Sequence, residues 1–205
     1  MPVERRLPPG QSITSVLPVL HRGPIPEFHP STWDFRIWGA VEEPVTWTWD
    51  QVMALPRIRV RLDLHCVTGW SVLDTEWEGI ALKGLIDEGW ITPKPEARYI
   101  MQHADFGYST SLPLEAALQQ NFLLATHAAG KPLTPQHGYP LRCVIGSNQD
   151  LTGQKAVYLY KGAKWLRGLE FLTHDRLGFW ESNGYHNGAD VWKEQRSRFS
   201  SGFDS

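Results

Sequence analysis

Cysteine is scarce in this chain of 205 residues: Cys66 and Cys143 are the two present, and they lie far apart. That scarcity excludes a C-x-x-C redox pair and a zinc knuckle, and it asks for no oxidising compartment. Net charge is scarce as well, at -2 with 20% charged residues, so no global field recruits nucleic acid or an anionic membrane surface. No apolar run approaches the length of a membrane span, and there is no internal repeat or low-complexity tract. Arg5-Arg6 stands near the start, yet Pro8, Pro9 and Pro18 interrupt the apolar stretch that a twin-arginine export signal needs, before His21-Arg22. The expectation is a cytoplasmic protein.

Tryptophan and proline, by contrast, are abundant, with ten and fifteen copies. Proline is tolerated at strand edges and turns more readily than in helices, so the composition leans toward a strand-rich, mixed α+β domain. Residues 1–30 read as an extended arm packed on a single domain of residues 31–205, which ends in an ordered, aromatic-rich tail with two Asn-Gly turn signals. Strands are expected at WDFRIWG, RIRVRLDLH, ARYIMQH, GYSTSL, NFLLATH, PLRCVIG, AVYLY and WLRGLEFL. A short helix is expected after Thr48, where Gln51 completes a capping-box spacing, and others at ALKGLIDEG and, from Ser111 and Pro113, through LEAALQQ.

The sharpest stretch is RIRVRLDLHCVTGWS, Arg57 to Ser71. Ile58, Val60, Leu62 and Leu64 fall on one face and Arg57, Arg59, Arg61, Asp63 and His65 on the other, the period of a half-buried strand. Cys66 follows at the open end, where scaffold gives way to loop. On spacing alone it reads as a small buried hydrophobe, as a thiolate nucleophile or as a ligand for a soft metal. Cys143 sits in an apolar run and is given no role.

Five ordered blocks narrow the choice. HCVTGWS, WEGIALKGLI, GYSTSLPL, HGYPLR and KGAKWLRGLEF together resemble the catalytic domain of the sulfite oxidase family of molybdopterin enzymes, with stand-alone bacterial members the most similar. The resemblance runs from about residue 16 to about residue 196. It implies the family's molybdopterin-binding fold and a molybdenum-molybdopterin cofactor whose metal is ligated by the thiolate of Cys66. It also implies that Tyr108 acts at the metal's oxygen ligand, and that His21 and Arg22, in HRGP, contact the pterin. The cofactor-binding set it suggests continues with His65, His103, Ala104, His137 and Arg142, and with Lys161, Gly162, Ala163 and Lys164 of KGAK. Basic side chains for a phosphate, and a glycine that lets backbone N–H groups approach it, suit an anionic cofactor.

Two departures from the family pattern bear on substrate. Trp70 stands where sulfite oxidases carry an arginine that grips the anionic substrate, and the connection between Arg142 and Lys161 is longer than usual, with Gly146 in place of a proline. A C-terminal dimerisation domain and a haem domain, found in some relatives, have no counterpart, which points to a separate electron-transfer partner. The expected activity is oxygen-atom transfer to or from a small molecule of the sulfite, sulfoxide or N-oxide type. A non-catalytic cofactor-binding or storage module is the alternative. A cysteine hydrolase using His65 or His103 as base is disfavoured, because neighbours on a strand point to opposite faces.

Overall fold

A computed structural model describes residues 6–147 and 159–198. In chain order these form β1 (Ser12–Ile13), β2 (Asp34–Gly39), β3 (Val45–Thr48), α1 (Trp49–Ala54), β4 (Ile58–Cys66), β5 (Trp70–Ile80) and α2 (Leu82–Asp87). There follow β6 (Tyr99–Ala104), β7 (Ser109–Pro113), α3 (Leu114–Ala117), β8 (Phe122–Ala128), β9 (Lys131–Pro132), β10 (Arg142–Ile145), β11 (Leu166–Leu172) and α4 (Phe179–Ser182). Strands therefore dominate a mixed α+β architecture, as the composition predicts.

The strands make two sheets. One runs β1-β5-β8-β10, with β4 added on β5 and β9 on β8, and the other runs β3-β2-β11-β6-β7. Phe35, Ile37, Ile100, Leu112 and Leu169 of the second sheet share one buried cluster with Ile80, Phe122, Leu124 and Cys143 of the first. The core therefore forms where the two inner faces meet. Cys143 is fully buried there, and burial pushes its thiol far up.

Local chemistry accounts for the helices. Thr48 accepts from the Gln51 amide while the Gln51 side chain accepts from the Thr48 amide, so both sides of the predicted capping box are present at the head of α1. The expected helix after Pro113 is a single turn, Leu114–Ala117, and Ser111 belongs to β7.

The long strand β5 is absent from the sequence-based expectations, and the reason lies in β4. The β4/β5 register slips between Leu62 and Leu64, and opposite the slip Asp74 adopts a left-handed φ of 58°. The bulge breaks the alternation of both strands. Beyond it, Asp63 and His65, expected on a solvated face, are 2% and 0% exposed, while the apolar Ile58 is 39% exposed. Asp63 is instead held by Arg6, whose Nε and Nη2 donate to its two oxygens at 2.8 and 2.6 Å. Of the expected strand AVYLY, residues 156–158 lie outside the described residues, and Leu159–Lys161 is a 3-10 turn.

Candidate active site

Cys66 ends β4, and after a turn of three residues the chain returns as β5. The turn is closed by the Gly69 amide donating to the Cys66 carbonyl at 2.9 Å, with Gly69 at φ 94°, a conformation that favours glycine. Trp70 is thereby set opposite Cys66 in the ladder. The Cys66 side chain is buried and receives a hydrogen bond from the Thr68 hydroxyl, Oγ1 to Sγ 3.1 Å. Burial raises the thiol pKa, and the Thr68 hydrogen bonds and the Arg196 charge act against that rise.

Cys66 opens into a cleft of about 470 Å³ between the arm, the first sheet and the C-terminal segment. Of the residues assigned by resemblance, His21, Arg22, Tyr108, Arg142, Gly162 and Lys164 line it with Cys66. Tyr108 is partly buried at the cleft wall, and desolvation, reinforced by the Glu181 carboxylate, drives its pKa far up, so it stays a neutral O–H donor.

Arg142 and Lys164 converge at one end. Arg142 is 4% exposed, and burial lowers its pKa to about 10; burial, with Arg142 beside it, lowers that of Lys164 to about 8. A Cβ added to Gly138 would come within 3.0 Å of the Arg142 Cβ and 3.1 Å of the Lys164 Cβ, so only glycine allows this approach. His137 does not line the cleft, but its Nδ1 is buried without a partner, and burial and these two cations lower its pKa. Gly162 is equally constrained, since its Cβ would lie 2.7 Å from the Cys143 carbonyl oxygen.

Five further assigned residues stand elsewhere. His65 packs behind Cys66, with Nδ1 2.7 Å from the Ser71 hydroxyl and its ring against Trp192. His103 pairs with Glu170 at 2.9 Å on the second sheet, and Ala104 is buried beside it in the strand. Lys161 is 2% exposed and turned inward, donating to the Ser111 carbonyl at 2.6 Å and paired with the buried Glu181 at 3.3 Å. Ala163 is fully buried, its amide donating to Gln102 Oε1. These contacts orient the chain around the cleft without facing it.

Other lining residues went unread in the sequence: Thr68, Tyr160, Trp165, Trp180, Tyr185 and Arg196. Most lie in the segment after β11 or in the stretch before it, where the predictive blocks are sparse. Stacking of Tyr160 on Tyr185, centroids 5.2 Å apart, and of Trp180 against Tyr185 at 5.5 Å builds that wall.

A sulfur donor, a close cationic pair and an unsatisfied imidazole nitrogen fit a group that brings a soft metal and an anionic phosphate. Among the described residues, no group of three or more His, Cys, Asp or Glu side chains could hold a metal. A metal at Cys66 must therefore bring most of its ligands with it, as a dithiolene cofactor does.

Fold and cleft together describe an oxidoreductase that works with molybdopterin. The chain belongs to the oxidoreductase molybdopterin binding domain family, which it matches over residues 22–180. It is 41% identical over 192 residues to the uncharacterized oxidoreductase YuiH of Bacillus subtilis, covering 93% of this chain and 91% of that one. It is 28% identical to the protein-methionine-sulfoxide reductase catalytic subunit MsrP of Gluconobacter oxydans over 75% of this chain and 51% of the relative. With mitochondrial sulfite oxidase of Drosophila melanogaster the identity is 25%, over 79% of this chain and 31% of the other. The chain thus spans nearly all of YuiH but about half or less of the two named enzymes. In structure it resembles the sulfane dehydrogenase SoxCD of Paracoccus pantotrophus, with a TM-score of 0.59 and 21% identity over 73% of this chain and 40% of that chain. Among the described residues, no helix is long and apolar enough to cross a membrane.

Proposed function

We propose that this oxidoreductase transfers an oxygen atom to or from a small substrate at a molybdenum-molybdopterin cofactor, with the Cys66 thiolate as the protein's ligand to the metal. The observation that carries this reading is the position of Cys66 in the same cleft as Tyr108 and the Arg142/Lys164 pair. When bound, the cofactor supplies a metal that changes oxidation state by two electrons as an oxygen atom is exchanged with substrate. The protein's part is to hold, orient and donate.

Arg142 and Lys164 receive the cofactor's phosphate, and its charge relieves their mutual repulsion. The free Nδ1 of His137 gains a partner in the same event. Thr68 keeps a hydrogen bond on the Cys66 sulfur, which favours its thiolate form and sets its direction. Tyr108, held protonated, would offer its O–H to an oxygen of the substrate bound in the cleft. Trp165, Trp180 and Tyr185 form apolar walls that limit water around the reacting atoms.

The physiological arrangement that follows is a cytoplasmic domain, residues 31–205 with residues 1–30 laid over it, that exchanges electrons with a separate protein. Substrates of the sulfite, sulfoxide and N-oxide type are the candidates.

The test is metal analysis by mass spectrometry together with fluorescence of released, oxidised pterin. Wild type and Cys66→Ser are purified from a host that makes the cofactor. About one molybdenum and one pterin per chain in wild type, with altered metal coordination in Cys66→Ser, supports the reading. Wild type lacking both refutes it. Reduction of the bound metal by sulfite, or its reoxidation by a sulfoxide, separates an enzyme from a storage module, which does neither.

A further inference from the structure

Four cationic side chains line the cleft, and among the described residues three of them are engaged. Arg22 donates to the Phe106 carbonyl at 2.9 Å and lies 3.8 Å over the Phe179 ring. Arg142 donates to the carbonyls of Cys143 and His137, and Lys164 to that of Gln136. The guanidinium of Arg196 has no hydrogen-bond or ion-pair partner among the described residues, yet it lines the cleft and its charge reaches Cys66.

Its backbone, by contrast, is firmly held. The His186 amide donates to the Arg196 carbonyl at 3.1 Å, the Arg196 amide donates to the Glu194 carbonyl at 2.8 Å, and Tyr185 bridges to Ser197. On the other side, Arg198 donates to the Glu181 carbonyl. Arg196 is an exposed residue, so its charged fork, on a pinned backbone and without a protein acceptor among the described residues, is open to an acceptor that enters the cleft.

Two neutral donors in the same cleft lack partners too. Trp70 Nε1 and the Tyr160 hydroxyl are both buried and without a hydrogen bond. A buried N–H or O–H left unpaired is costly, and in side chains that wall a cleft a small turn of the ring brings it to a ligand that enters.

We infer that Arg196, with Trp70 Nε1 and the Tyr160 hydroxyl, forms a subsite for a small oxyanion, either the substrate itself or an anionic group next to its reacting atom. Trp70 occupies the place where sulfite oxidases carry their substrate arginine, and the positive charge comes instead from the C-terminal segment. This deepens the function proposed above and rests on reading the cleft as the reaction site. Arg196 sets specificity: it discriminates anionic from neutral substrates and leaves the cofactor's phosphate to Arg142 and Lys164.

The experiment is a titration of cofactor-loaded protein with inorganic sulfate, a non-reacting oxyanion, followed by the fluorescence of Trp70, Trp165 and Trp180. Saturable binding by wild type is expected, weakened about tenfold in Arg196→Gln, as loss of a charged hydrogen-bond partner implies. Arg196→Lys falls between the two and guards against a folding defect in the first variant. Arg59→Gln, which removes an exposed arginine outside the cleft, binds as wild type does. Sulfate binding that is unsaturable in wild type, or equal in wild type and Arg196→Gln, overturns the inference. Molybdenum and pterin are measured on the same samples and the titration is read in either case. Absence of both refutes the function reading, whereas loss of the Arg196 dependence refutes only this one.

Discussion

The hydroxyl of Thr68 points back along the turn and donates to the sulfur of Cys66 at 3.1 Å. Two residues past the strand end, the loop thus supplies a partner to the group it exposes. Hydrogen bonds that orient a metal ligand are worth about 10- to 100-fold in metal affinity. Thr68→Val is expected to lose molybdenum about tenfold more readily on dilution and gel filtration, while Thr68→Ser retains it. Metal content by mass spectrometry decides, with circular dichroism as a check on folding.

Lys164 gives a pH signature in protein made without cofactor. Its pKa falls from the ordinary lysine value to about 8 in the fold, through burial and then Arg142. The unfolded chain therefore holds more protons between about pH 8 and the ordinary lysine range, and stability rises with pH across that window. Below about pH 8 both states are protonated and the penalty is present in full. Lys164→Met is expected to melt higher than wild type at pH 7, with the gap closing toward pH 10. Added inorganic phosphate raises the wild-type melting temperature at pH 7 and closes the gap from the other side. A gap that does not change with pH contradicts this account.

Lys161 and Glu181 are a buried pair 3.3 Å apart, and Glu181 also accepts from Thr110 at 2.6 Å. Removing one partner strands a charge in the core, at a cost of about 3–5 kcal/mol. Lys161→Met is expected to show that loss in urea unfolding. The double variant Lys161→Met/Glu181→Leu recovers part of it, which a loss from packing alone does not produce.

Gly79 in β5 lies where a Cβ would sit 2.1 Å from the Leu124 carbonyl oxygen. The contact is backbone to backbone, so no side chain can turn away. Gly79→Ala is expected to cost about 3 kcal/mol through forced separation of β5 and β8, the upper end of overpacking losses. A midpoint in urea within error of wild type disproves this.

These elements differ in how far they could be read from residues alone. The α1 cap and the strands β2, β6, β8 and β11 follow local rules: a capping box, alternation, punctuation by Gly and Pro. β5 defeated the same rules because the Asp74 bulge shifts its phase halfway, and the ion pair that holds the bulge comes from Arg6, some sixty residues away. Burial of His65 and Asp63 was hidden for the same reason: the second face of β4 is covered by the two chain ends. Cys66, Arg142 and Lys164 were legible because they sit in ordered sequence blocks. Lys161, two residues from Gly162 and Ala163 at most, looked equivalent to Lys164, but the 3-10 turn at Leu159–Lys161 rotates it into the core. Arg196 carries no local signal at all, since its place in the cleft depends on how the tail folds back onto residues 184–186.

The turn after Cys66 is covered from both ends of the chain. Gln11 donates to the Cys66 carbonyl at 3.0 Å, and Ala189 and Val191 pack on Val67. During synthesis on the ribosome, the strand that carries Cys66 emerges long before the segment that walls its cleft. A nascent chain with Arg196 still in the exit tunnel offers the thiol and only part of the pocket. The wall that residues 180–196 give the cleft is thus the last part of it to be synthesised, and the thiol is enclosed only once that segment has folded back over the turn.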